Sequence, residues 1–166
     1  DMVMIRSMVS NFPEHTSANY FLHTGSGLQG RPSMGAWVNY GLGSENSNLP
    51  GYVVLDGGLI PPGGLDNFKN GFLPANYQAS ILRAGAEPVA NIRPSDSIAG
   101  IQDEKLAFLK KMDHNLLDGL GGADEIESAI SNYELAYKMQ SSIPELTQFG
   151  SESAITRELY GLNSPD

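Results

Sequence analysis

The hydrophobic rhythm of the chain changes once. Up to about residue 95 apolar residues come in short runs cut by glycine and proline; beyond it they recur three and four apart. Short runs bounded by turn residues predict strands, and the longer spacing predicts helices. In the first part, Val3 to Met8 predicts a strand, and Gly51-Tyr52-Val53-Val54-Leu55 predicts a second, ended by Asp56-Gly57-Gly58. Between them, Thr16 to His23 predicts a helix with Thr16 or Ser17 as cap and Thr24-Gly25 as its stop. Ser33 to Tyr40 predicts another, with Pro32 before it and Gly41 after. The stretch from Leu59 to Leu73 has no usable period and predicts a long surface loop.

In the second part Leu106, Leu109, Met112, Leu116 and Leu117 fall on one helical face, with Asp103 and Glu104 at the start and Gly119 as the stop. Gly121-Gly122 turns the chain. Asp124 and Glu127 have the spacing of a capping box, and Ile126, Ile130, Tyr133 and Tyr137 form the next face until Ile143-Pro144. These two helices make an acidic αα-hairpin. A short last helix runs from Ser153 to Tyr160, with Ser151 as cap and Gly161 as C-terminal glycine. The order predicts an α/β fold in one partial domain, with a Gly/Pro-rich part (1–95) and a helical part (96–166) meeting near Arg93-Pro94-Ser95-Asp96.

Composition narrows the chemistry. The 166 residues carry a formal charge of −9, and the first part has six acidic and five basic side chains against thirteen and five in the second. A field of that sign disfavours nucleic acid and anionic lipid. There is no cysteine, so thiolate catalysis and cysteine-ligated metal are excluded within the chain. No apolar run approaches membrane-spanning length, which predicts no membrane insertion. The apolar residues that follow Asp1 directly predict an internal segment of a larger protein.

Gly25-Ser26-Gly27-Leu28-Gln29-Gly30 matches a dinucleotide-binding glycine pattern. Such a pattern needs a strand before it and a helix directly after it, and here it follows a helix-like segment and precedes Arg31-Pro32. It therefore predicts a flexible connection. Of the three histidines, His114 lies among polar helix neighbours on the solvent side, while His15 and His23 are too far apart for a paired metal site on one helix. The aromatic side chains Trp37, Tyr40 and Tyr52 offer either a sugar-stacking surface or packing.

Several ordered motifs carry a resemblance. Ile5-Arg6-Ser7-Met8, His15-Thr16, Phe21-Leu22-His23-Thr24-Gly25, Gly30-Arg31-Pro32-Ser33-Met34-Gly35-Ala36-Trp37-Val38 and Leu49-Pro50-Gly51-Tyr52-Val53-Val54-Leu55 come first. Gly71-Phe72-Leu73-Pro74-Ala75-Asn76-Tyr77-Gln78, Tyr133-Glu134-Leu135-Ala136-Tyr137-Lys138-Met139-Gln140 and Pro144-Glu145-Leu146 follow. Together they resemble the bacterial sulfatase-like family catalogued as domain of unknown function 1501. The resemblance implies a fragment of an alkaline phosphatase-like domain, a phosphate or sulfate ester as substrate, which includes small-molecule and glycan esters, and a divalent metal (Zn, Ca or Mg). It also implies export to the periplasm.

In that superfamily the nucleophile opens a helix ten residues before the glycine of a Thr-Gly pair, and counting back from Gly25 gives His15. His15, or Thr16 beside it, is thus the implied reacting residue. Asn19 stands where sulfatases carry an arginine, which makes it a substrate contact of a different kind. The metal ligands of the superfamily fall outside these 166 residues, so the active site is expected to be incomplete within them. Histidine at the nucleophile slot departs from the Ser, Thr or modified Cys of the superfamily. The alternative is a non-catalytic binding or structural module of an exported bacterial protein.

Overall fold

The computed structural model describes residues 2–83, 85, 88, 89, 92, 100–120 and 123–162. Over these the chain is mixed α/β. It runs α1 (His15–Thr24), α2 (Met34–Leu42), β1 (Val53–Asp56), β2 (Ser80–Arg83), α3 (Ile101–Leu120), α4 (Asp124–Leu146) and α5 (Ala154–Leu159), with single 3-10 turns at Gly64–Phe68, Ala75–Tyr77 and Phe149–Ser151. The junction near Arg93 to Asp96 and the Gly121-Gly122 turn lie outside the described residues.

The expected strand at Val3 to Met8 does not form. Among the described residues its backbone has no partner strand, and its apolar side chains stand in the open, from 66% exposed at Ile5 to 88% at Val3. A β-forming sequence is only a strand when a neighbour takes its N–H and C=O groups. The sheet pairs β1 instead with β2, a strand the sequence reading missed. The two are parallel, with Val53 opposite Ser80 and Asp56 opposite Arg83. The Arg83 Nε lies 3.9 Å from the Asp56 carboxylate at the end of this register.

Parallel strands need a long connection between them, and here it is the stretch expected to be a surface loop. It is folded against the body. Asn67 is completely buried and Leu73 nearly so. Asn67 Nδ2 donates to the carbonyls of Pro62 (3.1 Å) and Gly64 (2.9 Å), which closes the 3-10 turn from inside. This turn packs against α1 and α2, and the turn at Ala75–Tyr77 packs against α2 and α4.

α4 supplies the apolar centre of the helical part. Its Met139 and Ile143 pack with Ile92, flanked by Leu49, Leu82, Val89 and Leu135. Two expectations for α4 fail. Asp124 is already helical, Ala123 holds the cap position without a side-chain bond, and the acidic first turn complements the helix dipole in place of a capping box. Pro144 does not end the helix; it lies in the last turn, held by the buried Ile143, and Thr147 Oγ1 donates to the carbonyls of Ile143 and Pro144.

α3 and α4 form the expected antiparallel hairpin, joined on this face by polar pairs. Lys110 meets Glu134 at 2.6 Å, Tyr133 donates to Asp113, Tyr137 donates to Asp103, and Gln102 donates to Gln140. The leucine face assigned to α3 is less buried than its spacing suggested. Leu109, Met112 and Leu116 are exposed, and Leu106 and Leu117 are partly buried. α3 continues past Gly119 to Leu120. α5 takes Ser153 as its cap, not Ser151, and Gly161 follows it with a left-handed φ of 67°.

Candidate functional site

Helix α1 carries His15, Thr16 and Asn19. It is capped by Glu14, not by Thr16 or Ser17: one carboxylate oxygen accepts from Thr16 N–H and the other from Ser17 N–H, each at 2.9 Å. These two amides are among the four left without partners at any helix start. The same bonds hold the Glu14 carboxyl below its ordinary range, led by the Thr16 amide and then the Ser17 amide. At the other end Gly25 is left-handed (φ 74°) and its N–H closes on Phe21 C=O.

His15 opens the helix with an exposed side chain. Thr16 is partly buried beside it. Asn19, one turn on, gives one amide proton to the His15 carbonyl at 2.8 Å, which fixes its side chain along the helix. All three therefore share one end of α1. His23 lies at the opposite end with its ring edge-on to Phe68 (4.9 Å between centroids), and burial lowers its pKa. The structure keeps the two histidines apart, as their spacing required.

A divalent metal at His15 would need further carboxylate or imidazole donors. Glu14 is next to it in sequence, but both of its oxygens already accept helix N–H bonds. Among the described residues no group of three or more His, Asp or Glu side chains is placed to hold an ion.

The glycine pattern forms the connection between α1 and α2, exposed from Leu28 to Arg31 and packed at Gly27. Gly27 is buried under the Phe12 ring, with no room for a side chain. Pro32 and Ser33 are fully buried, and Ser33 caps α2 through Ala36 N–H. The connection leads into a cleft of about 290 Å³ lined by Gln29, Gly30, Arg31, Asp66, Lys69, Asn70 and Gly71. Local sequence does not reveal this cleft, because its two walls lie more than thirty residues apart and one of them belongs to the aperiodic stretch from Leu59 to Leu73. Lys69 and Asp66 pair at 2.5 Å, and Gln29 also donates to Asp66. The Asp66 carboxyl is held below its usual range, first by the Lys69 bond.

A second surface is aromatic. Phe72, Trp37, Tyr40 and Tyr77 form an edge-to-face series with centroid separations of 5.8, 6.1 and 5.1 Å. Trp37, Tyr40 and Phe72 are 46%, 51% and 63% exposed, so this series is a surface. Tyr52 does not join it: its ring lies against Gly35 of α2, and burial raises its pKa. Among the described residues no helix is long and apolar enough to cross a membrane.

No curated protein matches the chain, and no solved structure does. Residues 1–166 match the family described as protein of unknown function (DUF1501), and the chain belongs to that family.

Proposed function

We propose that the chain is the part of an alkaline phosphatase-like hydrolase of phosphate or sulfate esters that carries the reacting side chain, His15 or Thr16. The observation that supports this reading is the start of α1. An exposed imidazole stands at the first helical residue, beside two backbone N–H groups that already hold an anionic oxygen pair, the Glu14 carboxylate. A phosphate or sulfate oxygen pair is an alternative acceptor for the same amides, favoured by the positive end of the helix dipole. Substrate would displace Glu14 and come to rest beside His15.

The imidazole there attacks phosphorus or sulfur as the ester P–O or S–O bond breaks and the alcohol leaves, water then releasing the phosphate or sulfate; alternatively it takes the proton from Thr16 or from water as that oxygen attacks and the alcohol leaves. Asn19 keeps its amide oxygen and one proton for the substrate. The remaining parts of the site, a divalent metal (Zn, Ca or Mg) among them, come from outside these residues, and export to the periplasm goes with this reading.

The test is an ester-hydrolysis screen on the protein expressed from its complete reading frame, using p-nitrophenyl phosphate and p-nitrophenyl sulfate, with metal analysis alongside. His15→Ala should remove at least about two orders of magnitude of activity, as loss of a nucleophile or general base does. Thr16→Ala decides which of the two side chains reacts. A metal-free and inert wild-type protein sinks the proposal.

The exposed aromatic series supports a second reading, a binding module, because flat rings at a surface stack on sugars. Quenching or shift of Trp37 fluorescence by soluble glycans, with no ester hydrolysis, would select it.

A further inference from the structure

The cleft at residues 29–31 and 66–71 has a rigid floor. Gly71 is left-handed (φ 59°) and presses on the Arg31-Pro32 peptide, with no space for a Cβ. Ser33 N–H donates to Lys69 C=O at 3.1 Å, and the Asn70 amide donates to the carbonyls of Gly71 and Leu73. Both walls are therefore tied together beneath the opening, and on one of them Asp66 holds Lys69.

The charges on those walls are uneven. Asp66 is the one carboxylate of the lining, and it is used twice, by Lys69 and by Gln29. Arg31 has no carboxylate partner among the described residues. Two cations thus face one committed anion, in a chain whose net charge is −9. Elsewhere on such a chain a positive opening is the exception, and a guanidinium with free N–H donors is the side chain best shaped to take two oxygens at once. Backbone groups of Gly30 and Gly71 lie at the same opening.

We propose that this cleft binds the oxyanion group of a small ligand, with Arg31 as the principal contact and Lys69 as the second charge. The volume of about 290 Å³ is at the small end for ligand pockets, which suits one anionic group and a few attached atoms and not a polymer. The site is separate from the start of α1. It follows the far end of a ten-residue helix, about 15 Å long, and shares no residue with His15, Thr16 or Asn19, so it stands or falls independently of the hydrolase reading.

The experiment titrates the isotope-labelled chain with inorganic phosphate, sulfate and acetate at constant ionic strength, and follows the amide signals of Gly30, Arg31 and Gly71. Saturable shifts confined to this cleft are expected in the millimolar range, and the three anions rank phosphate, sulfate and carboxylate ligands. Arg31→Ala should weaken binding at least about tenfold, with its fold checked by circular dichroism. Asp66→Asn should tighten it, because that change removes the one negative charge and releases Lys69. Shifts that never saturate, equal binding by Arg31→Ala, or weaker binding by Asp66→Asn would each overturn the proposal.

Discussion

Gly71 packs directly against Pro32, and a Cβ on Gly71 would overlap the proline nitrogen and the carbonyl carbon of Arg31. The same glycine has a φ of 59°, where an L side chain is strained by on the order of 1–3 kcal/mol. Gly71→Ala should therefore lower the urea midpoint by at least that strain and spread the cleft walls. Gly57→Ala is the matched control, since nothing lies near Gly57 and its φ is not positive. Equal midpoints for the two variants would show that the close approach is not rigid.

Helices were legible from local signals because their caps and spacing are local. Ser33 and Pro32 marked the start of α2, Gly25 closed α1, and Gly161 followed α5. Glu14 was not legible as a cap, because its longer side chain reaches forward to two amides from a position where a shorter residue is the usual choice. β2 was missed because Ser80-Ile81-Leu82-Arg83 gains its identity from the β1 edge, a partner more than twenty residues earlier. Val3 to Met8 failed for the converse reason, having strand residues and no partner among the described residues. His15, Thr16 and Asn19 came from the spacing of the family motif before Gly25, and the fold places them on one turn of α1. Arg31 and Lys69 were invisible as a pair because only the folded connection brings their segments together.

Asn67 is the pivot of that connection. Its side chain is wholly buried, Nδ2 serves two carbonyls, and Oδ1 has no partner. Asn67→Ala leaves two carbonyls without their donor and should cost about 1–3 kcal/mol. Asn67→Asp should cost more at neutral pH, because an ionised carboxylate cannot donate to either carbonyl. Its folded pKa would rise, so that loss should ease as pH falls and the acid becomes a donor. A chemical-denaturation series at pH 7 and pH 4 checks the order; an aspartate variant as stable as wild type at neutral pH would contradict it.

His23 gives the chain a pH dependence of known sign. Burial against Phe68 lowers its folded pKa below the ordinary 6.5. The unfolded chain then binds the proton more readily, so this contribution to stability is complete above the unfolded value and is lost as pH falls through the folded one. Thermal melts at pH 7.5 and pH 5 should show a larger drop for wild type than for His23→Gln. The difference between the two proteins isolates the imidazole from the many carboxylates, and an identical drop in both would remove His23 from the account.

The helical part should depend on α4 far more than on α3. Ile143 is 4% exposed and packs with Met139 and Ile92, whereas Leu116 of α3 is 51% exposed. Truncating a buried isoleucine removes transfer energy and leaves a cavity, about 2–5 kcal/mol together. Ile143→Ala should therefore shift the denaturation midpoint strongly. Leu116→Ala should change stability by no more than about 0.5 kcal/mol, as surface truncations do. A large loss at Leu116 would mean that α3 buries its leucine face in solution, and the hairpin would then be held by apolar contact and not by the pairs of Lys110 with Glu134 and Tyr133 with Asp113.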